Sequence, residues 1–227
     1  MKIAILGAMS EEIDLFLKRF ECSEIEFAKN KFYLANYKNH ELIIAYSKIG
    51  KVNSALTASV MIEHFGAEKL IFVGVAGAIK AGLNIGDLVF GETLCQHDLD
   101  ISAFGHPYGY VPGSEIYTKT DDRLNNIIKE VALDNDISIK PAVIASGDQF
   151  ICDENKKSWI ATTFGADIVE MEGASVAVVC DALKVPFCVL RSISDTAGGG
   201  ADIDFDKFLI EVANLSADFI TKMIEKI

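Results

Sequence analysis

The sequence predicts an α/β protein, a three-layer α/β/α sandwich around a central twisted mixed β-sheet. Short apolar segments alternate with amphipathic helical patterns along the chain, which is typical of βα units. The apolar segments are continuous runs rich in Val, Ile and Leu, and such runs indicate strands that helices cover on both faces. No repeat, linker or low-complexity segment divides the 227 residues, so we expect a single domain over residues 1–227.

The N-terminal elements alternate between strand and helix and include one hairpin. The pattern predicts a buried strand over residues 2–6, followed by a helix over residues 10–20 with Ser10 as its N-cap. Residues 31–37 and 41–47 predict two antiparallel strands joined by a short turn. We therefore expect a mixed sheet, because the βα units favour parallel neighbours.

The same alternation continues to the C-terminus. A helix over residues 53–65 ends at Gly66, and a strand over residues 69–73 enters a tight turn at Gly74–Gly77. The later elements are strands over 87–95, 141–146, 166–171 and 187–193, and helices over 121–134, 173–184 and 204–226.

Residues 97–118 form a long segment without a periodic pattern. The segment is rich in aromatic and turn-forming residues. Loops of this length are uncommon in compact domains unless they serve a function. We expect a lid or an interface here.

The charge balance disfavours several classes of ligand. The chain has 33 acidic against 21 basic residues and a net charge of -12, which opposes binding to nucleic acid. Only three of the basic residues are arginines, the side chain best suited to phosphate recognition, so a phosphate-rich site is also disfavoured. Charges interrupt every apolar run, and we expect no membrane-spanning helix.

Cysteine and histidine usage argues against a metal site. The five cysteines are odd in number and irregularly spaced, so we expect them to be reduced and the protein to be cytoplasmic. No CxxC or HxxxH spacing is present, and we expect no bound metal. The segments Gly7–Ser10 and Gly74–Gly77 do not fit the GxGxxG pattern, so no dinucleotide cofactor is expected.

Acidic side chains follow several of the predicted strands. In open α/β sheets ligands bind beyond the carboxyl ends of the strands, so acids at these positions are candidates for a site. Glu11 and Glu12 lie in the first turn of a helix, where acids complement the helix dipole. That role accounts for Glu11. Glu12 is also placed to face the cleft, and spacing alone leaves both interpretations open.

Two later strands also end in acids. Glu170 and Glu172 leave a buried strand, where an uncompensated carboxylate is unfavourable. Vicinal ribose hydroxyls are one natural partner, and a helix cap combined with an ion pair is the other. Arg191 lies in the last strand, where a salt bridge to one of these acids is the alternative to a role in binding. Asp195 follows, and a carboxyl group in a partly apolar crevice can act as an acid near neutral pH.

The predicted cleft combines these acids with apolar side chains. Met9, Phe150 and Phe205 are placed to face a flat ring. No metal site or phosphate cradle accompanies them. This combination suits acid–base cleavage of an uncharged glycoside, and it does not by itself name a substrate.

Eight short blocks occur in one order along the chain. They are Ile5–Glu12, Lys48–Val52, Gly74–Gly77, Ala103–Gly105, Ser146–Ile151, Val169–Gly173, Arg191–Asp195 and Phe205–Phe208. In this order they resemble the bacterial 5′-methylthioadenosine/S-adenosylhomocysteine nucleosidases, members of the purine nucleoside phosphorylase-like superfamily. The resemblance covers essentially the whole chain and implies the fold of that superfamily.

The resemblance implies different tasks for the acids. Glu12 would deprotonate the attacking water, Asp195 would protonate adenine at N7, and Glu172 would hold the ribose 2′ and 3′ hydroxyls. Ser194 would orient Asp195. Related phosphorylases place phosphate where the water would sit, and a carboxylate at Glu12 would repel that anion. Hydrolysis without a cofactor is therefore expected.

The resemblance also implies which residues contact the substrate. Phe150 would stack on adenine, and the backbone of Ile151 would bond to the edge of the base. Met171 would lie against the sugar, with Gly77 lining the site. The remaining expected contacts are Met9, Ile49, Val75, Arg191 and Phe205.

The segment 97–118 would complete the site of a second subunit. The resemblance implies that Ile101, Phe104 and Pro112 enter the partner's pocket beside the 5′ substituent. A homodimer is therefore expected.

Two departures from the commonest family pattern concern the substrate. Val75 stands where many members carry serine, so a hydroxyl contact to ribose or water is missing. His106 and Pro107 also differ from the commonest pattern. Together these features resemble the branch that additionally cleaves 6-amino-6-deoxyfutalosine in a menaquinone pathway, whose bulkier 5′ group an open apolar pocket could accept. The alternatives are a phosphate-dependent purine nucleoside phosphorylase and a nucleoside-binding protein without catalysis.

Overall fold

A computed structural model describes residues 1–196 and 216–227. The strands of this part of the chain are β1 (Lys2–Gly7), β2 (Ser23–Phe27), β3 (Asn30–Tyr37), β4 (His40–Tyr46), β5 (Lys69–Ala78), β6 (Leu88–Gln96), β7 (Thr118–Lys119), β8 (Ile139–Ser146), β9 (Ile168–Glu170) and β10 (Phe187–Asp195). The helices are α1 (Ser10–Arg19), α2 (Lys51–Glu63), α3 (Asp122–Asp134), α4 (Glu154–Phe164), α5 (Gly173–Leu183) and α6, which is described over residues 216–224. The part of the predicted helix 204–226 that precedes residue 216 lies outside the described residues.

The described strands form one mixed sheet, as predicted. β1 lies between β4 and β5 and is parallel to both, and β3 pairs antiparallel with β4 in the predicted hairpin. Beyond β5 the order is β9, β8, β6 and β10. β10 pairs in parallel with β5 and antiparallel with β6, so this half of the sheet closes on itself. Closure places the ends of β5, β9 and β10 around a common space.

Helices cover the sheet on both sides and confirm the three-layer α/β/α arrangement. α2 and α5 contribute Met61 and Val176 to one buried apolar cluster. α1, α3 and α6 contribute Phe16, Ile128 and Ile220 to another on the opposite side. Each cluster also contains strand residues, and burial of these apolar faces drives the layers together.

The predicted glycine turn at Gly74–Gly77 is instead part of a strand. β5 runs from Lys69 to Ala78, and its end pairs with both β9 and β10. Glycine weakens a strand interior, and here the flanking strands supply the backbone hydrogen bonds that hold it extended. The prediction was wrong because the local pattern does not report these long-range partners.

Three elements were not predicted from the sequence: β2, α4 and the two-residue strand β7. β2 is an edge strand whose residues are all exposed, so it lacks the buried run by which strands are recognised. α4 carries only a few buried positions, among them Ile160 and Phe164. The predicted irregular segment over 97–118 is confirmed except for a short 3-10 turn at Ser102–Phe104 and the beginning of β7. No helix among the described residues is long and apolar enough to cross a membrane.

Candidate active site

A cavity of about 280 Å³ opens where β1, β5, β9 and β10 end. Its position agrees with the rule that ligands of α/β sheets bind beyond the carboxyl ends of the strands. The residues predicted from the sequence that line it are Met9, Glu12, Ile49, Val75, Gly77, Phe150, Ile151, Met171, Glu172, Ser194 and Asp195. The further lining residues are Ala8, Ala76, Gln149, Val169 and Glu170.

Glu12 faces the cavity from the first turn of α1. Met9 rather than Ser10 is the N-cap of this helix, and Glu12 Oε2 accepts hydrogen bonds from the backbone N–H groups of Ala8 (2.6 Å) and Met9 (3.0 Å). Its other oxygen accepts from the Val75 N–H at 3.3 Å. Both interpretations of Glu12 therefore hold in part, because the carboxylate binds the helix start and also lines the cavity.

Burial controls the protonation of Glu12. Removal from water raises the pKa of the Glu12 carboxyl, and the nearby positive charge of Arg191 and the three backbone N–H groups offset only part of this rise. A carboxylate whose pKa is raised binds a proton more strongly than an ordinary glutamate. Glu12 is consequently suited to accept a proton from a neutral group.

Glycines in β5 allow two carboxylates to approach the strand. A Cβ atom at Gly74 would lie 2.8 Å from Glu12 Oε1, and one at Gly77 would lie 2.8 Å from Asp195 Oδ2. A larger residue at either position would force the carboxylate to shift. The two glycines are three positions apart, which corresponds to about 10 Å along a strand. The carboxylates of Glu12 and Asp195 thus contact β5 at separate points and line the same cavity.

Asp195 ends β10 beside Gly77. The register of β10 against β5 shifts between Ile193 and Asp195, and this irregularity brings Asp195 opposite Gly77. The Ser194 hydroxyl donates to Asp195 Oδ1 at 2.8 Å. A carboxyl group held in this way has one oxygen engaged and the other available to a ligand.

Glu172 lies between β9 and α5 and is almost fully buried. Its Oε1 accepts a hydrogen bond from the Gly50 N–H at 2.8 Å. Burial, followed by the negative charge of Glu170, raises the pKa of Glu172 to about 7. The site therefore contains a carboxyl group that takes up or loses a proton near neutral pH.

Glu170, which lines the cavity, forms a buried ion pair with Arg191, which lies behind it. Arg191 Nη2 lies 2.8 Å from Glu170 Oε2, and the side chains are 2% and 3% exposed. The same oxygen accepts the Gly173 N–H at 2.7 Å at the start of α5. Glu170 thus takes the structural role that the sequence left open, and Arg191 does not line the cavity but acts on Glu12 and Glu172 through its charge.

The mouth of the cavity carries exposed apolar side chains. Phe150 is 75% exposed and Ile49 is 54% exposed, whereas Ile151 is buried. Ile101, Phe104 and Pro112 do not line the cavity of their own chain. Phe104 is 81% exposed. Phe205 lies outside the described residues.

The described lining is acidic and lacks a basic group. It contains no Lys, Arg or His. Its four carboxylates are Glu12, Glu170, Glu172 and Asp195. No group of His, Cys, Asp and Glu side chains in the described part of the chain is arranged to hold a metal ion. The five cysteines are free. The geometry suits a neutral ligand with hydroxyl groups and a site for protonation.

Sequence reasoning missed two backbone contributions to the site. Gly50 donates its N–H to Glu172 from a left-handed conformation with φ of 101°. Gly74 provides the space for the Glu12 carboxylate. Glycine itself was the available signal at both positions, and only the fold shows which carboxylate each glycine meets.

Comparisons with known proteins agree with this geometry. A model of the phosphorylase superfamily matches residues 2–225. The aminodeoxyfutalosine nucleosidase of Campylobacter jejuni is 60% identical over 228 residues, covering 100% of both chains.

Two solved structures are similar over nearly their full length. The crystal structure of the 5′-methylthioadenosine/S-adenosylhomocysteine nucleosidase of Campylobacter jejuni has a TM-score of 0.99 at 59% identity and covers 100% of both chains. A mutant of the Helicobacter pylori enzyme MTAN, with 5′-methylthioadenosine in its active site, has a TM-score of 0.96 at 47% identity. That match covers 100% of this chain and 99% of the other.

Proposed function

The chain belongs to the phosphorylase superfamily, and on this basis we propose that it hydrolyses the N-glycosidic bond of adenine nucleosides with modified 5′ groups. It is an N-glycosyl hydrolase whose substrates are 5′-methylthioadenosine, S-adenosylhomocysteine and 6-amino-6-deoxyfutalosine. Its similarity to enzymes named for these nucleosides supports this substrate class. The placement of Glu12 and Asp195 on one cavity, whose lining has no cationic side chain among the described residues, carries the proposal.

Glu12 prepares the attacking water. Its carboxylate accepts a proton as the water oxygen bonds to the anomeric carbon, and its burial strengthens it as a base. The negative charge also stabilises the positive charge that develops on the ribosyl ring as the base leaves. Three backbone N–H groups hold this carboxylate in place, so little reorientation is needed during the reaction.

Asp195 assists departure of the base. In its protonated form it donates to N7 of adenine, so that the purine leaves without a full negative charge. The Ser194 hydroxyl fixes one oxygen of this carboxyl group. Phe150 and the Ile151 backbone hold the base, with Met171 beside the sugar. Phe150 is exposed at the mouth of the cavity and is free to meet a flat ring.

Glu172 binds the ribose hydroxyls. It lines the cavity, and its second oxygen is free to accept from the 2′ and 3′ groups while Gly50 occupies the first. Hydroxyl donors favour the ionised carboxylate, so substrate binding lowers the pKa of Glu172 from about 7.

Hydrolysis is favoured over phosphorolysis because of the charge of the lining. Four carboxylates surround the cavity, and the described lining contains no side chain that could neutralise a phosphate ion. An anion in the place of the attacking water would lie against Glu12, where like charges repel. A neutral water molecule meets no such barrier.

The same proposal includes a homodimer that completes the 5′ pocket. α2 and α5 pack side by side, with the Ser54 and Ser175 hydroxyls 2.7 Å apart, and present exposed Val52, Leu56 and Val178. An apolar face of this kind marks an interaction site. The partner's Ile101, Phe104 and Pro112 would reach the 5′ substituent beside Met9, Ile49, Val75 and Phe205. Roles in methionine salvage and menaquinone synthesis follow from these substrates, and the five free cysteines support a cytoplasmic location.

A direct assay tests the reaction. The purified protein is incubated with each of the three nucleosides in phosphate-free buffer, and adenine is measured by chromatography. We expect adenine from all three, and added phosphate should not accelerate its release. Glu12→Gln and Asp195→Asn should each lower kcat at least about 100-fold. Glu11→Gln is the matched control, because Glu11 is exposed and outside the cavity.

Each possible failure has a separate meaning. Well-folded protein that leaves all three nucleosides intact would contradict the hydrolase assignment. Turnover that depends on phosphate and yields adenine with the correspondingly 5-substituted ribose 1-phosphate would identify a phosphorylase instead. Binding without turnover, unchanged by both substitutions, would identify a nucleoside-binding protein.

A further inference from the structure

Three charged residues outside the cavity lining link the loops on its two sides. Lys51 Nζ lies 2.6 Å from Asp98 Oδ1. The other oxygen of Asp98 accepts the Asp148 N–H at 2.8 Å. Asp148 Oδ1 in turn accepts the Lys51 N–H at 2.7 Å, which closes a ring of interactions. We call Lys51, Asp98 and Asp148 the charge clasp.

Members of the clasp stand next to residues that line the cavity. Lys51 follows Ile49 by two residues and is adjacent to Gly50, which donates to Glu172. Asp148 precedes Phe150 by two residues. The clasp therefore joins the segment at the sugar side of the cavity to the segment at the base side. None of its three members lines the cavity itself.

The clasp is partly shielded from water. The side chains of Lys51 and Asp98 are 16% and 14% exposed. Burial alone would raise the pKa of Asp98, yet the hydrogen bonds from Lys51 and from the Asp148 N–H hold it below its usual value. Removing one partner from such a pair leaves an unpaired, half-buried charge, which is strongly unfavourable.

His97 holds the base-side segment against the end of β6. Its ring contacts the position where a Cβ atom of Gly147 would stand, so only glycine fits there. The backbone N–H of His97 donates to the Ser146 carbonyl at 2.9 Å. This packing fixes residues 146–147, and the clasp fixes the next residue, Asp148.

We propose that the charge clasp is a positioning cluster for nucleoside binding, because it sets the separation of the loops that carry Ile49 and Phe150. This inference rests on the proposed function. The clasp does not touch the reacting atoms, so its loss weakens substrate binding and leaves the chemical step intact. Lys51, Asp98 and Asp148 are therefore determinants of KM.

Steady-state kinetics with 5′-methylthioadenosine tests this role. Lys51→Met and Asp98→Asn should each raise KM at least about tenfold, while kcat stays within about threefold. The double variant should be no worse than the poorer single variant, because the ion pair between Lys51 and Asp98 is already lost in each single variant. Lys51→Arg, which keeps the charge, should restore KM to within about threefold of the wild-type value.

Lys80→Met is the matched control. Lys80 Nζ also lies 2.6 Å from an aspartate, Asp167, whose other oxygen accepts the Val143 N–H at 2.7 Å. Lys80 does not line the cavity, and its loss should leave KM unchanged. Urea unfolding of every variant separates weakened binding from loss of the fold. Should Lys51→Met fail to fold, the KM of Asp98→Asn is compared with the wild-type KM instead.

Different results would contradict the proposed function and the positioning role of the charge clasp. If wild-type protein releases no adenine, the proposed function fails. If wild-type protein turns over and Lys51→Met and Asp98→Asn keep the wild-type KM, the positioning role is overturned and the function stands. A fall in kcat with unchanged KM also overturns it, as does a KM for Lys51→Arg as high as that of Lys51→Met.

Discussion

Gly74 and Gly77 lie under the carboxylates of Glu12 and Asp195 in β5. At both positions the missing side chain creates the space into which a carboxyl oxygen fits. The sequence pattern predicted a turn here, whereas the structure shows a strand. The role of these glycines is close approach rather than chain reversal.

Substitution of Gly74 by alanine should displace the Glu12 carboxylate. The added Cβ would lie 2.8 Å from Glu12 Oε1, closer than atoms can pack. We expect kcat/KM for adenine release to fall about 100-fold, because small displacements of a catalytic group have effects of that size.

Gly91→Ala provides the comparison for this prediction. Its Cβ would meet Ile144 Cδ1, also at 2.8 Å, in the apolar core. We expect that variant to lose about 1–3 kcal/mol of stability and to keep its kcat. Equal activity in Gly74→Ala and wild type would show that Glu12 does not need its observed position.

Glu172 should make the stability of the ligand-free protein depend on pH. Its pKa is raised to about 7 by burial and by Glu170, so the folded state favours the protonated form. The contribution of Glu172 to the free energy of unfolding is therefore fully present below the ordinary pKa near 4.5, and it is lost as the pH rises through 7.

Urea unfolding at pH 5 and pH 8 measures this effect. Between these values the free energy of unfolding should fall by about 2 kcal/mol more in wild type than in Glu172→Gln. Glu11→Gln serves as control because Glu11 is exposed. Identical pH dependence of wild type and Glu172→Gln would contradict the raised pKa.

Individual elements differ in how clearly the sequence reports them. β1 and β10 were recognised because they are continuous buried runs. β2 has no buried face, and α4 has an apolar stripe too narrow to stand out. α4 nevertheless matters for the site, because it begins at Glu154, shortly after Phe150 and Ile151.

The N-cap of α4 should influence both stability and binding. Asp153 accepts the Lys156 N–H at 2.8 Å, and Asp153→Ala should lower the free energy of unfolding by about 1 kcal/mol. We also expect a higher KM, since the segment carrying Phe150 leads into this cap. The measurements are urea unfolding and steady-state kinetics.

Asp121 is the matched control for this element. It caps α3 by accepting the Arg123 and Leu124 N–H groups, on a helix away from the cavity. Asp121→Ala should lose similar stability with an unchanged KM. A raised KM in both variants would indicate a general loss of stability instead of a local effect on the base-side segment.

Over the whole molecule, the apolar face of α2 and α5 is the surface that the proposed homodimer would cover. Val52→Glu places a charge on this face, where Val52 is 77% exposed. We expect the variant to be monomeric in sedimentation experiments and to lose activity, because the partner's Ile101, Phe104 and Pro112 would no longer complete the 5′ pocket.

Leu133→Glu tests whether any new surface charge has this effect. Leu133 is 79% exposed on α3, a helix that does not belong to the α2 and α5 face. This variant should keep the oligomeric state and activity of the wild type. A fully active Val52→Glu monomer would refute the contribution of a second subunit to the site.

The sequence by itself determined the α/β class, the order of most elements and the identity of the acids at the strand ends. Those features depend on local periodicity and on buried apolar runs, which short segments carry. The eight blocks also determined the family resemblance, and the family match over residues 2–225 confirms it.

Only the tertiary structure decided where the acids lie and which groups they contact. Glu12, Glu170 and Glu172 are the same residue type, and their spacing left each with both a structural and a functional interpretation. All three line the cavity, but the fold pairs Glu170 with Arg191, holds Glu12 and Glu172 through backbone N–H groups, and brings β10 beside β5. The physical reason is that burial and charge neighbours come from segments far apart in the chain, which no local pattern records.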